Sequence, residues 1–238
     1  MKYQDIRERL GAQRFRNVMH VSRKFNYVYV ANPKAACSTL KLILSRAEND
    51  DPAFIPESLH HRKYLPLLTP NKLTRQEQAA LFDGTYYRFS FVRHPFKRAL
   101  SAYTDKILGN KRQKREILEA MGRADETLSY PVSFDDFVTV IAEQDPATLN
   151  PHWRPQHLNL VTDLISYDFI GRLENLDADM AKVRTQLKLP DYGIPHKNRK
   201  SHKTTDTPTI SSATRLQLET LYAEDLGAFS YDSDIELR

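Results

Sequence analysis

Twice in this chain a run of aromatic and β-branched residues stops at a short proline-containing loop and passes straight into a helical pattern. The first run, Phe25 to Ala31 (Phe-Asn-Tyr-Val-Tyr-Val-Ala), is the strongest strand pattern in the sequence. It leads through Asn32, Pro33, Lys34, Ala35, Ala36, Cys37, Ser38 and Thr39 into Leu40, Leu42, Ile43, Leu44 and Ala47, the apolar positions of a helix reaching about Glu48. The second run, Tyr86 to Val92, is followed by Arg93-His94-Pro95 and a helix from Phe96 to Leu108. Strands joined through helices pair in parallel, because a parallel partner requires a crossover. An α/β fold is therefore expected, with a mainly parallel central sheet flanked by helices.

The remaining segments fit around that frame. Tyr3 to Arg16 predicts a short amphipathic helix, and Val18 to Val21 an extended segment joined to the first strand by Ser22-Arg23-Lys24. Thr74-Arg75-Gln76-Glu77 is a capping-box pattern opening a helix that ends near Gly84, and Ser133 caps a helix to Ala142. Tyr167 to Gly171 predicts a third strand, with a helix from Asn175 to Leu187 after it. Thr209 to Asp225 predicts a last helix with Leu216, Leu218, Leu221 and Tyr222 available for packing. Asp51 to Thr69, Leu108 to Pro131, Asp145 to His157 and Tyr192 to Pro208 read as loops. No repeat, low-complexity stretch or Gly/Ser-rich linker divides the chain, so residues 1–238 are expected to form one domain.

Composition excludes several classes. No stretch approaches the roughly 18 to 20 apolar residues of a membrane span, and Met1 to Leu10 alternates charges where a signal peptide would be apolar. A soluble, unexported protein is the expectation. Cys37 is the only cysteine, which leaves no internal disulfide and no cysteine-only zinc site. The 35 Lys and Arg against 30 Asp and Glu give a net charge of +5, with clusters at Lys111 to Arg115 and His196 to Lys203. That balance favours an anionic ligand: a small phosphate-bearing molecule, an acidic polysaccharide or nucleic acid.

In such folds ligands bind beyond the carboxyl ends of the strands, where helix N-termini present unpaired N–H groups. Asn32 to Thr39 adds the Lys34 ammonium and the hydroxyls of Ser38 and Thr39, a compact cradle for an anion of the phosphate type. It is not a Walker A loop, since the glycines and the terminal Lys-Ser/Thr are missing. The second loop offers Arg93 and, two turns into the next helix, Ser101, around a second anion; a guanidinium suits phosphate oxygens better than an ammonium does. Each cation also reads as an ordinary solvated side chain near a strand end.

Four segments, in order, carry a resemblance to a known family: Tyr29-Val30-Ala31-Asn32-Pro33-Lys34-Ala35-Ala36-Cys37-Ser38-Thr39-Leu40-Lys41; Phe91-Val92-Arg93-His94-Pro95-Phe96-Lys97-Arg98-Ala99-Leu100-Ser101-Ala102-Tyr103; His152-Trp153-Arg154-Pro155-Gln156; and Tyr167 through Gly171, Glu174 and Leu176. The chain resembles carbohydrate sulfotransferase family 2, the group that includes chondroitin and dermatan 4-O-sulfotransferases and bacterial relatives. The resemblance implies a fold related to nucleotide kinases, 3′-phosphoadenosine 5′-phosphosulfate (PAPS) as donor, 3′-phosphoadenosine 5′-phosphate (PAP) as product, and no required metal. It further implies Lys34 and its loop on the 5′-phosphosulfate, Arg93 and Ser101 on the 3′-phosphate, and Arg199, Lys200 and Ser201 near the nucleotide. The implied partner is a carbohydrate or other hydroxyl-bearing acceptor rather than nucleic acid, and nothing sets an oligomeric state. Eukaryotic family members usually carry a Golgi anchor, so a bacterial cytoplasmic enzyme or an excised Golgi catalytic domain is expected.

An acceptor hydroxyl must lose its proton, and a His or Glu within hydrogen-bond reach is the usual means. His60 and His61, in the irregular segment before the second loop, are the first candidates; His152 in the Pro-bounded loop and Glu174 after the third strand are the others. Trp153 reads either as a sugar-stacking ring or as a cap on the core. Cys37 reads as a small buried thiol rather than a nucleophile, and Lys111 to Arg115 as a solvated helix face or an attractor of acidic acceptors. A kinase using ATP and a non-catalytic binder of anionic polymer are the competing functions.

Overall fold

The structure, a computed structural model, describes residues 2–194 and 210–235. In chain order the elements are α1 (Lys2–Leu10), α2 (Ala12–Val18), β1 (Met19–Ser22), β2 (Tyr27–Val30), α3 (Cys37–Asn49), α4 (Arg75–Ala80), β3 (Tyr87–Val92), α5 (Pro95–Ala102), α6 (Lys114–Ala120), α7 (Phe134–Ala142), α8 (Gln156–Leu160), β4 (Phe169–Arg172), α9 (Leu176–Leu187), α10 (Ser212–Leu221) and α11 (Ala223–Ala228). They fall into two compact units, one built on Met1–Val92 and the chain from Leu160 onward, the other on Arg93–Asn159 and the C-terminal helices. Among the described residues no helix is long and apolar enough to cross a membrane.

The first unit holds a four-stranded sheet in the order β1-β2-β3-β4. β2 pairs with β3, and β3 with β4, in parallel, as the alternation of strands and helices requires. β1 returns through a tight turn with Asn26 at φ +58 and lies antiparallel to β2, so the sheet is mixed rather than wholly parallel. Tyr27, Tyr29, Phe89 and Phe91 are buried against Leu40, Ile43 and Leu44 of α3 and Met180 and Val183 of α9. Helices on the sheet explain why these strands are rich in aromatic and β-branched residues.

β4 carries a glycine where its neighbour needs room. Gly171 sits opposite Phe91 in the parallel register, and a Cβ there would collide with the Phe91 ring. Gly171→Ala should therefore destabilise the fold by about 1 to 3 kcal/mol. Urea titration should show a lower midpoint with an unchanged slope.

The second unit has a helical core: Phe96, Ala99, Tyr103, Phe134, Phe137, Val138, Ile141, Trp153, Leu218 and Tyr222 are buried together. Ser133 caps α7 through a reciprocal bond with Asp136, and Thr74 and Glu77 of the first unit form the expected box on α4.

Several elements depart from expectation. The N-terminal helix is broken at Gly11, whose φ of +74 starts a new one. The helix after β3 changes to a π turn over Tyr103–Leu108. α6 lies in a stretch read as loop, because only Ile117 and Leu118 mark its inner face. The last helix is two, α10 and α11, meeting at Tyr222; Leu216 is 63% exposed, whereas Leu218 and Tyr222 are buried.

Candidate functional site

The loop that leaves β2 is held in an unusual backbone state. Lys34 (φ +68) and Ala36 (φ +58) are both left-handed although neither is glycine, with Ala35 between them at negative φ. Such residues cost about 1 kcal/mol or more each, and the Ala35 N–H between them donates to the Asn32 carbonyl at 3.3 Å, closing a tight turn. Ala36 is also the N-cap of the thirteen-residue α3 and supplies no side-chain cap. Thr74, Ser133 and Ser211 cap α4, α7 and α10 with their hydroxyls. The first N–H groups of α3, at Cys37, Ser38 and Thr39, therefore begin a helix without a capping side chain. Pro33, Lys34, Ala36, Cys37, Ser38 and Thr39 are half-buried and Ala35 fully buried. Asn32, fully buried, donates its amide to the carbonyl of Phe91 at 3.2 Å.

α3 also anchors the segment bearing His60 and His61. Lys41, one turn after Cys37 and almost fully buried, donates to the Leu59 carbonyl at 2.6 Å. Arg62 donates to the carbonyls of Leu67 and Leu68 at 3.2 and 2.8 Å, and to the ring of His20 on β1. His60 and His61 themselves are exposed; the His61 ring meets Tyr64 edge-on at 6.4 Å. Glu174 is exposed on the 3-10 turn Leu173–Asn175 that follows β4.

Two cations in this corner of the first unit, Lys41 and Arg62, are buried or half-buried. Burial lowers the Lys41 pKa and brings that of Arg62 to about 10. His20, fully buried and stacked on Tyr29 at 5.7 Å, is kept neutral well below its ordinary pKa by burial and then by the positive charges of Arg62 and Lys41. Below about pH 6.5 the unfolded chain protonates His20 and the folded chain does not, so stability is fully present above that pH. It is lost as pH falls, by up to about 1.4 kcal/mol per unit. Denaturation midpoints between pH 7 and 5 should drop more steeply for the native chain than for His20→Gln.

The second unit contains Arg93, Ser101 and His152. Arg93 and Ser101 are half-buried. The N-terminus of α5 is partly closed, because the His94 ring accepts the Phe96 N–H through Nδ1 at 3.2 Å and lies 2.7 Å from the Asp232 carbonyl through Nε2. That pairing places the ring proton on Nε2. Arg98, on the inner face of α5 and fully buried, donates to the carbonyls of Pro151 and Arg154 at 2.7 and 2.8 Å and fastens the His152 loop. His152 is half-buried, its Nδ1 2.7 Å from Asn150 Oδ1. Trp153 is not a sugar platform. It is 1% exposed, edge-on to Phe137 at 5.5 Å, and its carbonyl accepts from Tyr222 Oη at 2.6 Å. Its bulk serves the core.

The Lys34 loop, His60, His61 and Glu174 thus belong to the first unit, and Arg93, Ser101 and His152 to the second. Arg199, Lys200 and Ser201 lie outside the described residues. Sequence reasoning gave no role to Arg98 or Gln156, although both stand inside the matching segments, and overlooked Asp225, which bonds Gln156 from 69 positions away. Among the described residues no group of three or more His, Cys, Asp or Glu is placed to hold a metal ion. A cavity of about 740 Å³ beside the entrance to β3, lined by Tyr3, Arg75, Phe82 and Arg88 among others, includes none of the candidate residues.

A family model described as "Sulfotransferase family" matches residues 18–232. Among similar curated proteins, carbohydrate sulfotransferase 14 of Homo sapiens is 29% identical over 180 residues, covering 72% of this chain and 47% of that protein. Carbohydrate sulfotransferase 11 of Rattus norvegicus is 29% identical over 245 residues (89% and 66%), and carbohydrate sulfotransferase 12 of Mus musculus 30% over 256 residues (90% and 60%). The chain spans about half to two thirds of the length of these relatives. No solved structure matches it.

Proposed function

Because the chain belongs to the sulfotransferase family, we propose that it is an O-sulfotransferase, acting as a single domain over residues 1–238. It would move a sulfuryl group from PAPS to a hydroxyl of a carbohydrate or similar polar acceptor and release PAP. The observation that carries this reading is the loop after β2: two left-handed residues, an ammonium and an α3 terminus without a side-chain cap, all at one place. Such a backbone fits a phosphosulfate, since N–H groups and Lys34 can meet several anionic oxygens at once.

PAPS carries anionic groups on both sides of its ribose and so needs two cationic cradles. Lys34 and the loop to Thr39 take the 5′ side, where the bond to sulfur breaks; Arg93 and Ser101 take the 3′-phosphate. As the acceptor oxygen bonds to sulfur, the electron pair of the broken S–O bond stays on the 5′-phosphate. Lys34 and the α3 N–H groups stabilise that growing charge. The hydroxyl proton passes to a base. His60 and His61 are favoured because they are exposed and stand on a segment tied by Lys41 to the helix that the first loop opens. His152, engaged with Asn150, and Glu174 are the alternatives.

The test supplies donor carrying labelled sulfur with a panel of saccharides, lipids and small alcohols, in parallel with ATP labelled at its terminal phosphate. Sulfur label should appear on a saccharide hydroxyl with no transfer from ATP. Transfer from ATP would replace this reading with a kinase, and sulfur transfer that survives Lys34→Ala would remove the site assignment.

A further inference from the structure

The β3 ladder ends at Val92, paired with Arg172, and Arg93 is the next residue along the chain. A side chain bonds its main chain. Gln156 Oε1 accepts from the Arg93 N–H at 3.0 Å, and Gln156 Nε2 donates to the Arg93 carbonyl at 2.8 Å. One amide thus grips both polar groups of one residue, as a neighbouring strand would, and fixes the backbone on either side of its Cα. Gln156 is fully buried, so water does not compete for these bonds.

Gln156 is fixed in turn. Asp225, also fully buried, accepts from the Gln156 N–H at 2.6 Å, the His157 N–H at 2.9 Å and His157 Nδ1 at 2.8 Å. A buried carboxylate with three short donors is well satisfied and hard to displace. Arg98 holds the same loop by the carbonyls of Pro151 and Arg154.

We infer that Gln156 is a positioning residue, which, backed by Asp225, sets the main chain of Arg93 so that its guanidinium is presented to the 3′-phosphate of the nucleotide. This rests on the role given to Arg93 above. Other side chains fail for identifiable reasons. Glutamate accepts from the Arg93 N–H but cannot donate to its carbonyl, and it would face Asp225. Methionine fills the volume and makes neither bond. Asparagine keeps the amide but is one methylene too short to reach both groups.

The experiment titrates PAP and AMP, which differ by the 3′-phosphate alone, into the native chain, Gln156→Met, Gln156→Asn, Arg93→Ala and the double variant Arg93→Ala/Gln156→Met. Gln156→Met and Gln156→Asn should each weaken PAP about tenfold while leaving AMP within about twofold. In the Arg93→Ala background Gln156→Met should add nothing, because the group it positions is gone. Should Gln156→Met fail to fold, the milder Gln156→Asn carries the comparison. A merely structural glutamine would weaken both nucleotides together, or neither, and either result overturns the inference. If Arg93→Ala itself leaves the preference for PAP intact, the role of Arg93 fails and the inference with it. Loss of that preference in Arg93→Ala but not in the Gln156 variants defeats the inference alone.

Discussion

Replacing Lys34 with alanine should lower the turnover number for sulfuryl transfer by about 100- to 1,000-fold, the range seen when one group stabilising a developing charge is removed. The charge in question grows on the leaving 5′-phosphate as the S–O bond breaks. An ammonium that meets it there binds the transition state more strongly than the bound donor, and such interactions act on turnover. KM for the donor should rise far less. Lysine and alanine are both unfavourable at the φ of +68 found at this position, so the melting temperature should stay close to that of the native chain. Initial rates at saturating donor, with melting curves beside them, check both statements. A loss confined to KM would assign Lys34 to ground-state binding only.

Arg93→Ala should give the opposite kinetic signature. The 3′-phosphate is remote from the breaking bond, and its charge does not change during transfer. Contacts to it are therefore equally strong in the ground and transition states, and removing them raises KM with little effect on turnover. A lost bidentate guanidinium–phosphate pair should raise donor KM about 10- to 100-fold. Arg93→Lys should recover part of that loss, because it keeps the charge without the planar fork. Comparable losses in turnover from Arg93→Ala and Lys34→Ala would show that the two cations do not divide the donor as proposed.

Much of the frame was legible because it rests on short-range pattern. Phe25 to Ala31 and Tyr86 to Val92 are runs rich in aromatic and β-branched residues, each followed by a proline-containing loop, and both contain strands buried under helices. The box at Thr74 and the cap at Ser133 are local chemistry and appear as expected. What escaped had no local signature. Lys34 and Ala36 are left-handed, yet nothing in Asn-Pro-Lys-Ala-Ala announces it, since glycine or asparagine would be the usual marker. Nothing local tells whether Trp153 faces the core; Phe137 and Tyr222, which pack on its ring and bond its carbonyl, are distant in sequence. Asp225 looked like any acidic residue near a helix end. Only the folded chain brings it to Gln156, and Gln156 to Arg93. The helix Lys114–Ala120 was hidden by the same limit, because two inward apolar residues among charges make too weak a periodicity.

The most direct measurement is calorimetric titration of the unaltered chain with PAP and, separately, with AMP. PAP should bind at one site per chain and at least about tenfold more tightly, because only PAP would fill both of the proposed cradles. Equal affinities for the two nucleotides would contradict a second cradle at Arg93 and Ser101.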